Sequence, residues 1–349
     1  MRNIKRFGPK RIASASIRRF NNLGLFLPTR QFVKSSDKGP QLLVVASGSI
    51  PIPTNGWGAV ERIISETLPL FESEGFSVSI LNSKHKKEWS LAASQEFKII
   101  LCHDDSSIEK VKKYFPIVPL VAVTHYGSLP VYEEWDPSYI KVARSFSLAN
   151  KVVALSQKCK LTLEEHTQLS EIKVCPNGLQ PLEYQTNPRK PRAIYLGKIE
   201  PRKRQIEIAR LYPQLEIDFV GPGKIPFSLR GKAKMGVRFL GSRDKSWLKN
   251  HLSSYDIGIL ISRSEADALV LYEYQNAGLK ILVSDLAIGD QDSNLPWISI
   301  TNLENLELDM VALRNLDISP SVISDYASVT YNWESRITPL VDVLKSCLK

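Results

Sequence analysis

Two glutamates eight residues apart, Glu265 and Glu273, are the most specific candidates for chemistry in this sequence. The pattern places Glu265 in a strand-to-helix loop and Glu273 about one turn inside the helix, so both carboxylates could face a cleft. An isolated pair of this kind is more often a loop acid and a solvated helix acid. The apolar neighbours of Glu273, Ala268–Leu271 and Ala277-Gly278, make a solvated face less favoured.

Four cations follow a predicted strand within seven residues, where a helix is expected to begin: Lys198, Arg202, Lys203 and Arg204. Helix N-termini favour acidic side chains, so this run opposes the helix dipole. A bound diphosphate would satisfy Lys198, Lys203 and the free helix N–H groups together. Solvated charge runs are common, but a position at the carboxyl end of a strand favours an anion site.

A glycine-containing loop follows the first predicted strand and ends in Gly56-Trp57-Gly58 before a helix. Its glycines would let backbone N–H groups approach an anion at the helix start. Glu61 stands where a G-x-G-x-x-G fingerprint has its third glycine, which disfavours a dinucleotide cofactor. Taken alone, the two glycines indicate a tight turn about as often as a binding loop.

His125 and the Asp290-x-Asp292 pair are weaker candidates. A lone histidine after a strand is more often structural than catalytic. The two carboxylates of an Asp-x-Asp pair could hold a divalent metal ion. Here it falls in a turn with Gly and Asn neighbours, so we interpret it as a loop coincidence and expect no metal site.

The elements that must position these residues alternate between short β-branched runs and helical patterns, which is typical of parallel βαβ units. The first series has predicted strands at Leu42–Ala46, Phe76–Leu81, Lys98–Leu101, Pro119–Thr124 and Lys151–Leu155. Its predicted helices lie near 58–74, 107–114, 137–149 and 157–168. A proline-rich stretch at 176–191 breaks both periodicities and is interpreted as a hinge.

A second series follows the hinge, with predicted strands at Ala193–Leu196, Ile217–Val220, Val237–Leu240, Ile257–Ile261 and Ile281–Val283. Its predicted helices lie near 203–213, 243–254 and 270–278, with an amphipathic terminal helix over 333–348. The sequence therefore predicts an α/β fold of two Rossmann-like doubly wound domains facing across a ligand cleft. The predicted boundaries are 1–40, 41–180, 181–330 and 331–349.

The net charge of +10 is concentrated in residues 1–40, which hold ten Lys or Arg against Asp37 alone and so carry +9. A nearly neutral body with a cationic arm disfavours a nucleic-acid groove across the fold. The arm could contact an anionic membrane, act as an organelle transit peptide, or be a solvated tail, and these alternatives stay open.

The four cysteines show no C-x-x-C pair and no metal-type spacing. A chain of 349 residues can bury a large core without disulfides, so a reduced compartment is expected. The apolar stretch Leu23–Leu27 is too short for a signal peptide. We expect a cytoplasmic protein, with peripheral membrane contact or organelle targeting through the arm as alternatives.

Taken together and in order, five motifs resemble those of the GT-B glycosyltransferases, within them the retaining enzymes of glycosyltransferase family 4, from Gln41 to Lys349. The motifs are Gly56-Trp57-Gly58-x-x-Glu61, Pro176-Asn177-Gly178, Gly197-Lys198-x4-Lys203, Glu265-x7-Glu273 and Tyr331-Asn332-Trp333-Glu334. The resemblance implies an acceptor-side first domain, a nucleotide-sugar donor domain and a C-terminal helix that crosses back to the first domain.

The resemblance also implies roles for individual residues. Lys203 matches the family's phosphate lysine, and Lys198 stands where the family usually has arginine. Glu265 matches the acid that grips the donor sugar, and Glu273 the acid that holds the ribose. His125 matches an active-site histidine on the acceptor side of the sugar. The implied catalytic residues are Glu265, His125 and Lys203, and the implied donor-binding residues are Gly56, Gly58, Lys198, Lys203, Glu265, Leu269 and Glu273.

Several residues depart from the family pattern near the implied donor site. Lys198 lacks the bidentate geometry of arginine, and Arg204 stands where glycine is frequent. Asp267 would repel a diphosphate unless it faces the sugar hydroxyls. Acceptor-side aromatic residues could stack on a sugar or simply pack, and these are Trp57, Tyr126, Tyr132 and Trp135.

The expected function is retaining transfer of a hexose from a nucleotide-sugar to a glycan or lipid-linked acceptor, without metal or other cofactor. Lysine side chains can stabilise the leaving diphosphate without a divalent ion. The alternatives are a nucleotide-sugar epimerase of the same fold and a non-catalytic module that binds sugar nucleotides.

Overall fold

The structure is a computed structural model and describes residues 29–35, 39–54, 58–125, 144–229 and 236–348. These residues form two α/β units, each built around its own hydrophobic core. Most of the predicted basic arm, residues 1–28 and 36–38, lies outside them. Within the described residues, every helix is too short or too polar to cross a membrane.

The first sheet runs in the order β1-β3-β2-β4-β5-β6-β7 within the described residues. Its strands are β1 (Arg30–Val33), β2 (Gln41–Ala46), β3 (Ser77–Ser83), β4 (Ile99–Cys102), β5 (Leu120–Val123), β6 (Lys151–Ala154) and β7 (Lys173–Val174). Its helices are α1 (Ala59–Ser73), α2 (Lys86–Ala93), α3 (Ile108–Tyr114) and α4 (Gln157–His166). The strands from β2 onward pair in parallel, and their near-continuous apolar runs are buried on both faces.

Strand β1 is an addition to this parallel pattern. It pairs antiparallel with β3, at the edge of the sheet. It lies inside the range 1–40 that the sequence analysis assigned to the basic arm, so the end of that range joins the first sheet.

The second sheet runs in the order β10-β9-β8-β11-β12-β13 and is parallel throughout. Its strands are β8 (Ala193–Leu196), β9 (Ile217–Val220), β10 (Arg238–Gly241), β11 (Ile257–Leu260), β12 (Lys280–Val283) and β13 (Ile298–Ile300). Its helices are α5 (Gln205–Leu211), α6 (Lys245–His251), α7 (Leu269–Asn276), α8 (Leu306–Arg314) and α9 (Pro320–Thr330). The chain order reverses between β8 and β11, and such a switch point is where open α/β sheets bind ligands.

The predicted strands of both series agree with the observed ones to within two residues at each end. The sequence analysis missed α2, α8, α9, β7 and β13, in addition to β1. α2 buries only Trp89 and Ala92, so its apolar period is weak, and β13 is a three-residue edge strand. Of the helix predicted at 137–149, residues 137–143 lie outside the described residues and Phe146–Leu148 forms a single 3-10 turn.

The C-terminal segment crosses back to the first domain as α10 (Trp333–Arg336) and α11 (Thr338–Ser346). The apolar face of α11, with Leu340 and Leu344, is buried in the first core. Lys345 Nζ lies 2.6 Å from a carboxylate oxygen of Glu74, just after α1. The predicted fold of two Rossmann-like domains with a crossover helix is therefore confirmed.

The two central strands of the second sheet separate soon after they meet. β8 and β11 pair over only two residues each, Ala193–Ile194 with Ile257–Gly258. Beyond that point, the buried Tyr274 hydroxyl accepts a hydrogen bond from the N–H of Leu196 at 2.7 Å and donates one to the carbonyl of Ile259 at 3.2 Å. Tyr274 therefore holds the strands at the point from which the two following loops diverge.

We predict that Tyr274→Phe lowers the free energy of unfolding by about 1–3 kcal/mol, because the buried N–H of Leu196 loses its partner. Urea unfolding of the full chain measures this loss. Tyr114→Phe is the control, because Tyr114 is a half-buried residue of α3 whose ring packs near Trp89 and is kept by phenylalanine, so stability should change by less than about 0.5 kcal/mol. Equal losses in both variants would show that the hydroxyl of Tyr274 does not hold the strands.

Candidate active site

A carboxylate and two cations meet at the carboxyl ends of β8 and β11. Lys203 Nζ lies 3.1 Å from Glu265 Oε1, and Arg202 Nη1 lies 3.0 Å from the same oxygen. The side chains are largely buried, with 11% of Glu265 and 13% of Lys203 exposed. Burial raises the pKa of Glu265, but the two cations outweigh it and hold that pKa below its ordinary value. The site therefore contains an ionised acid and two fixed positive charges.

The backbone before the cluster is shaped to receive the lysine. Gly197 has φ +151°, and a Cβ there would lie 3.2 Å from Cδ of Lys203. Glycine thus lets the lysine chain lie across the end of β8. The buried Tyr195 donates a hydrogen bond from its hydroxyl to the carbonyl of Lys203 at 2.6 Å, which fixes the lysine backbone.

The cations lie just before α5. Pro201–Lys203 forms a 3-10 turn, and α5 begins at Gln205 because its N-cap, Arg204, takes a left-handed conformation with φ +58°. The helix predicted to begin near 203 therefore begins two residues later, and an anion there would meet the side-chain charges of the 3-10 turn. The left-handed conformation is one that glycine adopts freely, which accounts for the glycine frequent here in the resembling family.

Lys198 lies apart from this cluster. Its side chain is exposed, and its carbonyl accepts a hydrogen bond from Nε2 of Gln205 at 2.8 Å. The second cation beside Glu265 is Arg202, which the sequence analysis placed in the charge run without a role. The role of Lys198 in binding phosphate stays a prediction.

Glu273 lies on α7, on the face that meets the first domain. Its Oε1 pairs with Nη1 of Arg62 in α1, and Nε of Arg62 donates to Glu66 Oε1 at 2.7 Å. Leu269, one turn earlier on α7, packs against the first core. Glu265 and Glu273 therefore stand before and within one short helix at the interface, and Glu273 is already engaged by a residue of the opposite domain.

Gly58 ends the loop before α1 with φ +108°. A Cβ there would lie 2.7 Å from Oε2 of Glu61, so a larger residue would collide with that buried acid. Oε1 of Glu61 accepts a hydrogen bond from the hydroxyl of Ser47 at 3.2 Å, and burial raises the pKa of Glu61. Gly58 thus serves the turn, and its contact with a donor stays a prediction.

Other residues named from the sequence lie outside the described residues: Gly56, Trp57, Tyr126, Tyr132 and Trp135.

His125 lies at the end of β5, beside His103 at the end of β4. His103 Nδ1 is 2.8 Å from His125 Nε2, and the stacked rings have centroids 5.1 Å apart. Burial lowers the pKa of His125 to about 4, and it lowers the pKa of His103 well below its ordinary value. Both imidazoles are therefore neutral at pH 7, with one donating and the other accepting the shared hydrogen bond.

The histidine pair lines a small cavity beside the hinge. Its volume of about 20 Å³ is enough for about one water molecule. Asn177 of the hinge and Trp333 and Arg336 of α10 also line it, whereas Lys203 and Glu265 do not. The structure therefore places His125 and the cation cluster in separate surroundings, and contact of His125 with a sugar stays a prediction.

Asp267, which departs from the pattern of the resembling family close to Glu265, joins the two domains. Its Oδ2 accepts a hydrogen bond from the N–H of Asn177 at 2.7 Å, and its Oδ1 accepts one from the hydroxyl of Tyr272 at 2.5 Å. Arg336 donates to the same hydroxyl at 3.0 Å and to the carbonyl of Asn177 at 2.9 Å. Burial raises the pKa of Asp267 to about 6. Both carboxylate oxygens of Asp267 are therefore engaged by the hinge and by Tyr272.

Asp290 and Asp292 have different partners. Asp290 Oδ2 accepts a hydrogen bond from the N–H of Gln157, the first residue of α4, at 2.6 Å. Asp292 Oδ1 accepts two from Asn294, at 2.9 and 3.0 Å. Asp292 lies in a turn, as predicted from the sequence. Asp290 instead contacts the first domain, which the sequence analysis did not predict. Within the described ranges, no group of three or more potential metal ligands occurs.

Two candidate residues, His103 and Arg62, were missed in the sequence analysis. His103 follows β4 as His125 follows β5, and neighbouring parallel strands end at the same edge, so strand order could have paired them. Arg62 offered no such signal, because its partner Glu273 comes from the other domain, 211 residues away along the chain.

No protein-family model and no curated protein sequence matches this chain. Solved structures do match. HepE from Anabaena in complex with UDP and glucose has a TM-score of 0.67 at 16% identity, over 88% of this chain and 100% of that chain. A sucrose-phosphate synthase from Thermosynechococcus elongatus has a TM-score of 0.67 at 12% identity, over 88% and 98%. AviGT4, a glycosyltransferase involved in avilamycin A biosynthesis, has a TM-score of 0.63 at 10% identity, over 88% and 98%. The chain thus has the GT-B fold.

We predict that the neutral histidine pair makes the fold sensitive to acid. Unfolded histidines protonate near pH 6.5, whereas folded His125 does so near pH 4. The unfolded state therefore binds more protons in this interval, so stability that is complete above about pH 6.5 is lost as the pH falls. The shift of His125 corresponds to about 3 kcal/mol.

Urea unfolding between pH 7.5 and 4.5 tests this prediction. A His103→Gln/His125→Gln double variant should lose less stability on acidification than the unmodified chain, and the exposed control His251→Gln should lose as much. Asp105 and Asp267, whose pKa values burial raises, titrate in the same interval in all these chains. A double variant with the unmodified pH slope would contradict the prediction.

Proposed function

We propose that this protein is a retaining glycosyltransferase that moves a hexose from a nucleotide-diphosphate sugar to a glycan or lipid-linked acceptor. The observation that carries the proposal is the cluster of Lys203, Arg202 and Glu265 beside β8 and β11. These strands flank the point where the order of the second sheet reverses. Ligands of open α/β sheets bind at such points, and two fixed cations suit a diphosphate.

The chemistry of sugar transfer requires the charges found there. Breaking the sugar–phosphate bond develops negative charge on the diphosphate and oxocarbenium character on the sugar. Lys203 and Arg202 are held by Glu265 before any reaction, so they can stabilise the leaving oxygen with little reorganisation. When phosphate oxygens take over the two cations, Glu265 is left to accept hydrogen bonds from sugar hydroxyls.

The remaining predicted residues complete the proposed site. Glu273 holds the ribose of the donor, and His125 serves the acceptor side of the sugar. The other proposed donor contacts are Gly56, Gly58, Lys198 and Leu269. Complexes of HepE with UDP and with UDP-glucose favour a uridine nucleotide as the first donor to test.

The proposal assigns no metal or other cofactor to the reaction, because side-chain cations serve the diphosphate and the carboxylates of Asp290 and Asp292 bind peptide N–H groups. We place the protein in the cytoplasm. The ten cations of residues 1–40 favour peripheral contact with an anionic membrane, worth about 1 kcal/mol for each cation near the surface.

A donor panel tests the proposed function. Purified full-length protein is incubated with UDP-, GDP- and ADP-hexoses, with and without glycan and lipid-linked acceptors, in the presence of a chelator. Transfer or slow donor hydrolysis supports the proposal, and the anomeric configuration of the product tests retention. Isomerisation of the sugar would indicate an epimerase, and binding without turnover would indicate a non-catalytic module. Activity lost in chelator and restored by Mg²⁺ would reject metal independence.

We predict that Lys203→Ala costs about 2–4 kcal/mol of transition-state stabilisation, or roughly 30- to 1000-fold in kcat/KM, because one preorganised cation is removed from the leaving group. Steady-state kinetics with the donor found in the panel measures this loss. Lys190→Ala removes an exposed lysine of the same domain and should keep the unmodified kcat/KM. Unchanged turnover in Lys203→Ala would remove the lysine from the proposed site.

A further inference from the structure

Arg62 reaches across the interface and engages the acid that the proposed function assigns to the ribose. Its Nη1 pairs with Oε1 of Glu273, and its Nε donates to Oε1 of Glu66 at 2.7 Å. The exposed fractions are 16% for Arg62, 12% for Glu273 and 7% for Glu66. The three side chains therefore form a largely buried chain of charges from α1 to α7.

This chain of charges is anchored at its far end. Oε2 of Glu66 accepts hydrogen bonds from the indole N–H of Trp333 at 2.7 Å and from the N–H of Gln180 at 3.0 Å. Glu66 is thus fixed by the hinge and by α10, and it fixes the guanidinium of Arg62 in turn. A carboxylate that must meet a ligand in one orientation benefits from such support.

Two polar atoms beside Glu273 are buried and, among the described residues, have no hydrogen-bond partner: Nη2 of Arg62 and the hydroxyl of Tyr184. Burial raises the pKa of Tyr184, as does the nearby charge of Glu273. Burial lowers the pKa of Arg62, but the charges of Glu273 and Glu66 outweigh burial and raise that pKa above its ordinary value, so the guanidinium stays charged. A buried donor without a partner costs free energy, so two of them beside Glu273 indicate a role other than stability.

The pairing also divides the two oxygens of Glu273. Oε1 is paired with Arg62. Oε2 has no hydrogen-bond partner among the described residues and is not buried, so it is the oxygen left for a ligand. A ribose that reached Oε2 would therefore meet an acid whose orientation is fixed by the planar guanidinium of Arg62.

We propose that Arg62 is a positioning residue for the nucleotide site, supplied by the first domain, which holds Glu273 so that Oε2 accepts a hydrogen bond from the ribose of the donor. The inference rests on the proposed function, since it requires a nucleotide on the second domain. It makes recognition of the ribose hydroxyls depend on a residue of the opposite domain, and hence on contact between the two domains.

The test compares a nucleotide with its counterpart that lacks the ribose hydroxyls. Isothermal titration measures the Kd of UDP and of 2′,3′-dideoxy-UDP for the full chain and for Arg62→Met, Glu273→Gln and the double variant. If UDP does not bind, GDP or ADP is used with its own dideoxy counterpart. Arg314→Met is the matched control, because it removes a partly buried Arg–Asp pair away from the cleft.

The unmodified chain should bind UDP at least 10-fold more tightly than dideoxy-UDP. Arg62→Met should weaken UDP binding about 5- to 50-fold and leave dideoxy-UDP unchanged, and it should add no further loss to Glu273→Gln. Arg314→Met should leave both affinities unchanged. Arg62→Lys, which keeps the charge but not the two-sided geometry, should recover part of the loss and serves if Arg62→Met does not fold.

Each failure has a distinct meaning. Equal weakening of UDP and dideoxy-UDP by Arg62→Met, or a loss that adds to that of Glu273→Gln, overturns the positioning role while the proposed function stands. A ribose preference that depends on Glu273 but not on Arg62 does the same. Failure of the unmodified chain to bind any of the three nucleotides overturns the proposed function, and the inference with it.

Discussion

An ionised carboxylate taken out of water costs several kcal/mol unless cations and hydrogen bonds replace its hydration, and the second domain is arranged around this constraint. Glu265 is compensated by Arg202 and Lys203, which are successive residues of one 3-10 turn. That turn can reach Glu265 because β8 and β11 separate after two paired residues. A well-packed apolar set would stabilise the same place as well or better, so three charges here favour a site whose cations change partners when a ligand arrives.

The interface between the domains is held by acids of the second domain that accept N–H groups of the first. Asp267 accepts from Asn177, Asp290 accepts from Gln157, and Glu273 pairs with Arg62. Each contact is local and polar, whereas the two apolar cores stay largely separate. Polar interfaces of this kind permit relative motion of domains more readily than apolar ones. The crossover segment α10 and α11 is part of the first core and belongs to the first domain in its packing.

The sequence was sufficient to predict the strands β2–β6 and β8–β12, because parallel strands buried on both faces have continuous apolar runs such as Ile257–Leu260. It also led to Lys203 and Glu265, since each lies in the segment between a predicted strand and the following helix. It could not predict the left-handed backbone of Arg204, which has no glycine to mark it, and so misplaced the start of α5. Contacts made across the interface, such as Arg62 with Glu273, depend on how two independently patterned domains dock, and periodicity carries no information on that.

The charge at the two facing sheet edges gives a reason, independent of any family, for a diphosphate to bind the second domain. The first edge presents Glu61, Asp104 and Asp105, whose proximity helps to raise the pKa of Glu61 and Asp105, beside two neutral imidazoles. Burial is the main cause of both shifts, and mutual repulsion of the acids adds to it. A diphosphate at that edge would add further repulsion, whereas Lys203 and Arg202 attract it at the other. An uncharged, hydroxylated compound would meet no such repulsion, so the first edge suits a compound of that kind better than a diphosphate.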